Sequence, residues 1–255
     1  NRFKDYSSSA VLYSYGSTEC SSYKDTVDLQ VYQGGEAAFN VQTGSTGTKI
    51  FHATGYSATN FFVYVATGSS GTIVDTVIGE GFYVAGFCAQ SDWADPTIAA
   101  RVPLSWDRPN YTPPTDLGVE YTNWSQNDLD DLMVSNSSFG NGYAGRNTVA
   151  FAFVQMDGAD GSSVYDVRAT LKSCWVHDTT NVSVDLAIWR ESGVCELELY
   201  NNKFRANAAK LASGGGSTKW SEFIQKFDRN GEVDTQFLSE VLIVPESDTT
   251  PSVAS

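Results

Sequence analysis

The feature that most constrains this chain is the recurrence of short apolar runs, rich in β-branched and aromatic residues, cut by turn clusters every ten residues or so. Asp28–Tyr32 alternates, Gly34-Gly35 punctuates, and Ala37–Val41 resumes. Asn60–Val65, Thr72–Ile78 and Phe82–Phe87 repeat the pattern between glycine-bearing turns. Thr148–Val154 alternates small with large, and Val182–Arg190 has a period of two. Cys195–Tyr200 sets acids on one face and leucines on the other before Asn201-Asn202. Period two marks strands, and a glycine or asparagine pair between two strands is a hairpin signal. The expected fold is therefore all-β, an antiparallel sandwich or barrel.

Two helices are expected beside the strands. Ser125 can cap a turn followed by Asp128, Asp130 and Asp131, acids that suit the positive end of a helix dipole, which predicts a helix over 125–133. Trp220, Phe223, Ile224 and Phe227 share one face at helical spacing. From Pro103 to Pro114 the chain carries four of its seven prolines, and a polar, glycine-rich loop is expected from Ser135 to Arg146. The organisation reads as a single β domain over 1–255, divisible into subdomains 1–105 and 147–246 joined by the excursion 103–146, with a loose tail at 247–255. No internal repeat of fixed period is visible. The opening residues, Asn1-Arg2-Phe3-Lys4-Asp5, resemble neither a leader nor an initiator methionine, and read as those of a processed product or an excised fragment.

The formal net charge is −14, from 16 basic and 30 acidic side chains. Both parts of the chain, divided at residue 164, are acidic, and Lys203, Arg205 and Lys210 are too few for a basic arm. Such a surface repels phosphate, which excludes nucleic acid as a partner. No apolar run is long enough for a membrane span.

Catalytic apparatus is sparse in the sequence. The two histidines, His52 and His177, lie in no nucleophile-elbow context, and no G-x-S-x-G, H-E-x-x-H, P-loop or dinucleotide fingerprint occurs. Glu196 and Glu198 share a strand face that reads as solvated. Asp157-Gly158-Ala159-Asp160-Gly161 offers oxygen ligands but lacks EF-hand spacing, so no metal and no cofactor is expected. Cys20, Cys88, Cys174 and Cys195 contain no C-x-x-C, and whether they pair stays open. Sequons occur at Asn110, Asn123, Asn136 and Asn181. The one candidate binding site is Asp92, Trp93 and Asp95, an indole between carboxylates, suited to stacking on a sugar and binding its hydroxyls.

Two stretches resemble virus coat proteins. Gly193–Asn207, with its acid-alternating strand, tight turn and aromatic-bearing return, is similar to the late hairpin of the protruding domain in calicivirus capsid proteins. Ala100-Arg101-Val102-Pro103-Leu104 resembles the end of a picorna-like jelly roll. The resemblance implies a jelly-roll-like or protruding-domain-like coat component of a small icosahedral positive-strand RNA virus. Such a component is not an enzyme. It self-associates, contacts other capsid subunits and presents loops to a host receptor or glycan from the virion surface. The alternatives from the residues themselves are an extracellular carbohydrate-binding β-sandwich and, third, a glycosidase.

Overall fold

A computed structural model describes residues 1–4, 6, 9–14, 16–66, 68–90, 128–155, 166–190, 195–205, 209–213 and 241–244. The described strands form three long parallel sheets. The first contains β1 (Arg2–Lys4), β4 (Thr26–Leu29), β7 (Thr54–Ser57), β10 (Ile78–Glu80) and β13 (Ser138–Gly140). The second contains β2 (Val11–Tyr13), β5 (Ala37–Val41), β8 (Phe61–Val65), β11 (Ala85–Gln90), β14 (Thr148–Gln155), β16 (Val182–Arg190) and β19 (Ala209–Ser213). The third contains β3 (Ser21–Tyr23), β6 (Lys49–Phe51), β9 (Ile73–Asp75), β12 (Leu129–Ser135), β15 (Val167–Lys172) and β17 (Cys195–Tyr200). Isolated bridges from Ser138 to Trp175 and from Trp175 to Lys203 extend the first sheet towards β18 (Asn202–Arg205), which pairs with β20 (Val241–Val244).

Consecutive strands never pair with each other. The chain passes from first sheet to second to third, then returns to the first one rung further on. This is a parallel β-solenoid, with each coil resting on the one before. The expected antiparallel sandwich or barrel is overturned: every pairing among the described strands is parallel, for example Ala37 with Phe61, Phe61 with Ala85 and Ala85 with Val149. The supposed hairpins are corners. Asp28 lies in the first sheet and Ala37–Val41 in the second; Cys195–Tyr200 and Asn202–Arg205 likewise lie in different sheets. A corner and a hairpin both need a residue that tolerates positive φ between apolar runs, so local sequence does not separate them.

The corners are themselves stacked. Lys24, His52, Thr76, Asn136, Ser173 and Asn201 occupy the same bend between the third and first sheets, all at φ between 48° and 56°. The residue after each, namely Asp25, Ala53, Val77, Ser137, Cys174 and Asn202, is buried. Two of the polar ones, Asn202 and Ser137, bond backbone groups at the bend. Asn202 accepts from Cys174 N at 2.9 Å and donates to Leu171 O at 2.9 Å; Ser137 Oγ accepts from Val77 N at 3.0 Å and donates to Ser135 O at 2.7 Å. Buried peptide groups at a bend have no ladder partner otherwise, so these side chains replace water.

The helix expected over 125–133 is also overturned, because Leu129–Ser135 is β12. Leu129, Leu132 and Val134 point into the core, while Asp131, at φ 54°, bulges the strand where its register with β15 shifts. Asp131 stands in the column held one and two coils earlier by Gly71 and Gly47, since Thr46, Ser70 and Asp130 bridge in sequence. The acids mistaken for a helix start are outward groups of this bulge. Ser138–Gly140, expected as loop, is β13. No helix occurs among the described residues, and none there is long and apolar enough to cross a membrane. The second expected helix, at 220–227, lies outside the described residues.

An aromatic spine fills the coils. Phe139 meets Phe62 at 6.1 Å, Phe87 at 6.5 Å and Phe151 at 5.2 Å between ring centroids, and Phe151 meets Phe204 at 5.7 Å. Two glycines make room for it. A Cβ on Gly79 would lie 2.5 Å from Phe62 Cγ and 2.8 Å from Phe139 Cδ1, and one on Gly86 would lie 2.3 Å from Phe139 Cβ. The outer face of the second sheet is buried too, with Phe61, Tyr64, Val84, Cys88, Val149, Ala152 and Val154 forming another apolar cluster. Burial on both faces explains why Thr148–Gln155 is apolar without interruption by charge. Phe139→Ala is expected to lower unfolding free energy by about 3–5 kcal/mol in urea titrations, the usual cost of emptying an aromatic site. Gly79→Val is expected to cost more or to prevent folding, because the added atoms meet rings held on both sides.

Candidate functional site

Columns of outward residues follow from parallel stacking. On the third sheet one column reads Ser21, Lys49, Ile73, Met133, Thr170 and Glu198, each beside the next across the rungs. The column before it carries Ser70, Asp130 and Arg168. Between them runs a groove of about 570 Å³ lined by Gly71, Ile73, Asp131, Leu132, Met133, Arg168, Ala169, Thr170 and Glu198. Its residues come from four successive coils, so it runs along the solenoid axis.

Sequence places the longest connections beside this groove. The turn from second to third sheet is short between β5 and β6 and between β8 and β9. The same turn is long between Gln90 and Asp128 and again between Gln155 and Asp166, while only four residues separate Arg190 from Cys195. Both long connections join strand ends at one corner, whose described edge includes Gly71 and Asp131. Loops of this kind carry function more often than the scaffold they decorate.

The polar groups of the groove are held in place. Arg168 Nη1 donates to Asp130 Oδ1 at 2.9 Å and Nη2 to Asp166 Oδ2 at 2.6 Å. Asp166 N in turn donates to Asp128 Oδ1 at 2.8 Å. Desolvation lowers the Arg168 pKa, but the bond to Asp130 and the charges of Asp166, Asp130 and Asp128 outweigh it and raise the value. The guanidinium is therefore fixed and neutralised in place. Tyr200 Oη donates to Glu198 Oε2 at 2.9 Å, which orients that carboxylate. Asp131 makes no ion pair with a described residue. Ile73 and Met133 lie side by side as an apolar floor.

His177 Nδ1 lies 2.6 Å from Ser138 Oγ, and its Nε2 lies 3.4 Å from Glu80 Oε1. This serine–histidine–carboxylate chain spans three coils, but Ser138 is 0% exposed, so no substrate reaches its hydroxyl. It clasps coils together. His52 sits at an exposed corner with its ring edge-on to Tyr23 at 5.4 Å. Tyr83 is stacked on Tyr32 at 4.1 Å and covered by the Arg146 guanidinium at 4.3 Å, so its ring faces are occupied. The four cysteines form no disulfide, and burial pushes the Cys174 thiol up to about 12, which makes it inert as a nucleophile. Among the described residues no set of three metal-ligating side chains converges.

Of the residues singled out in sequence, Asp92, Trp93 and Asp95 lie outside the described residues, as does Asp157–Gly161. Glu198 lines the groove, and Glu196 stands in register with Arg168. Sequence reasoning missed Arg168, Asp130, Asp131, Met133 and Ile73. They come from separate coils, and only the rung register brings them together. No protein-family model, curated protein or solved structure matches the chain.

One carboxyl away from the groove has a strong environment. Burial pushes Glu36 up to about 7, against a hydrogen bond from Asn40 Nδ2 that pulls it down. Glu36 Oε1 and Asn40 Oδ1 are both buried without a hydrogen-bond partner. In the unfolded chain Glu36 loses its proton near the ordinary glutamate value, whereas the folded protein keeps it to about pH 7. Stability attributable to Glu36 is therefore present at low pH and falls as pH rises towards 7. Glu36→Gln is expected to remove this slope and to raise stability near pH 8 by on the order of 2 kcal/mol, measured as urea midpoints on both sides of the transition.

Proposed function

We propose that this protein is a saccharide-binding β-solenoid, with the outer groove of its third sheet as the binding site. The observation that carries the reading is the composition of that groove: an apolar floor of Ile73 and Met133, flanked by the braced Arg168, by Thr170 and by two carboxylates, Asp131 and Glu198. Sugar rings present apolar C–H faces and hydroxyl edges together. A mixed floor-and-rim groove fits both, with directional hydrogen bonds setting orientation. The groove is continuous along the axis and the rungs repeat at about 4.8 Å, which suits a chain molecule better than a single small ring. The acidic balance, −14, opposes binding of nucleic acid or other dense polyanions.

The coat-protein reading has a narrower basis in this architecture. The 193–207 stretch that resembles a coat-protein hairpin contains a corner between two parallel strands, and 100–104 lies outside the described residues. Charge is what favours it: an acidic chain without a basic arm suits an outer, genome-distant position on a particle. Electron microscopy and mass measurement on the native source test that reading, and a protein never associated with particles defeats it.

A glycan array followed by titration of the best binder tests the saccharide reading. Met133→Ala is expected to weaken binding by roughly fivefold to tenfold, on the order of 1 kcal/mol of lost apolar contact. Arg168→Ala is expected to weaken it at least as much while changing stability by less than about 1 kcal/mol, because its ion pairs are half-exposed. Absence of binding across a broad array at millimolar sugar defeats the proposal.

A further inference from the structure

We infer that the saccharide taken by this groove is a linear, amino-bearing one, a glucosamine-type oligomer lying parallel to the solenoid axis; the inference rests on the saccharide reading above and names its substrate class. The direction follows from register. Ile73, Met133, Thr170 and Glu198 occupy one column, one residue per coil, so a chain laid along the column meets apolar floor, then hydroxyl, then carboxylate in order. A ligand laid along a strand instead would run out of the groove at the corner near Asp131 and Gly71.

The charge of the ligand follows from how the groove's own charges are spent. Its cation, Arg168, is bonded to Asp130 and Asp166 at 2.9 and 2.6 Å, so it offers little attraction to an anion. Asp131 makes no ion pair with a described residue, and the bond that Glu198 accepts comes from the Tyr200 hydroxyl, a neutral donor. These two carboxylates flank an apolar floor, so a ligand resting on that floor removes water from around them and strengthens their pull on a nearby ammonium group. Uronate or sulfated chains meet the opposite: two uncompensated carboxylates and a guanidinium already satisfied. The apolar floor separates this site from a bare acidic surface, because a simple counter-ion gains nothing from Ile73 and Met133.

Isothermal titration of the whole chain with three hexamers tests the inference: β-1,4-linked glucosamine with its amines protonated, its fully N-acetylated counterpart, and oligogalacturonate. The expected order is glucosamine tightest, by roughly tenfold or more over the acetylated form, with no detectable galacturonate binding. That preference is expected to shrink as salt is raised, as attraction between partly exposed charges does. Asp131→Asn with Glu198→Gln is expected to cost the glucosamine hexamer more than the acetylated one and so collapse the difference; far-ultraviolet circular dichroism verifies that the variant is folded. An acetylated or galacturonate hexamer bound as tightly as glucosamine overturns the inference and leaves the saccharide reading standing. Binding of an oligolysine peptide but of no hexamer overturns both and assigns the groove to basic peptides. No binding by any of these ligands overturns both as well.

Discussion

Parallel rung-to-rung pairing is the constraint on which everything else in this molecule depends. When each coil hydrogen-bonds to the next in parallel and in register, a residue's neighbour in space is its counterpart one coil away, not the residue that follows it in the chain. Columns therefore replace patches as the unit of organisation. The positive-φ corners from Lys24 to Asn201 form one column, the inward rings of Phe62, Phe139 and Phe151 belong to a continuous spine, and the groove is a pair of outward columns. A change at one position is felt first by the residues above and below it. Gly79 and Gly86 illustrate this, because each is small so that Phe139, in the next coil, can be large.

Local structure was legible in the sequence where a strand is determined by its own side chains. The alternation of Val182–Arg190 and of Cys195–Tyr200 maps onto β16 and β17. Pairing was not legible, because nothing local distinguishes a corner from a hairpin. Gly34 has φ 80° and Asn201 has φ 52°, conformations that serve either purpose. The repeat was hidden for two reasons. Its corner column is filled by lysine, histidine, threonine, asparagine and serine, so no consensus residue recurs. Its coil length, roughly two dozen residues where no insertion intervenes, is broken by excursions of unequal length at the corner between the second and third sheets.

The site was obscured by the same geometry. Glu198 stands beside Glu196 in sequence, yet its neighbours in the column are Thr170 and, beyond it, Met133. Arg168 and Asp130 belong to successive coils, and their bond exists only once the register is known. The acids at 128–131 gave a signal that could have been read differently. Charges alternating with Leu129 and Leu132 fit a strand whose inward face is apolar, with Asp131 supplying an extra residue at a bulge. Fold does not assign function here. The side chains of one groove carry the chemistry suited to a saccharide, and the solenoid supplies their spacing.

The one-dimensional contact pattern also sets how this molecule responds to force. Each coil is held by two neighbours, except that among the described strands β1, β2 and β3 at one edge and β17, β19 and β20 at the other have a partner on one side only. Pulling along the axis therefore loads the rungs in series, and the coils detach one after another from the weaker end, as a zipper does, in place of a single global rupture. The Phe139 coil, tied to the rings of Phe62 and Phe87 on one side and of Phe151 within its own turn, would act as the arrest point of such a peeling front. A groove built across that coil keeps its shape while the first rungs open and close.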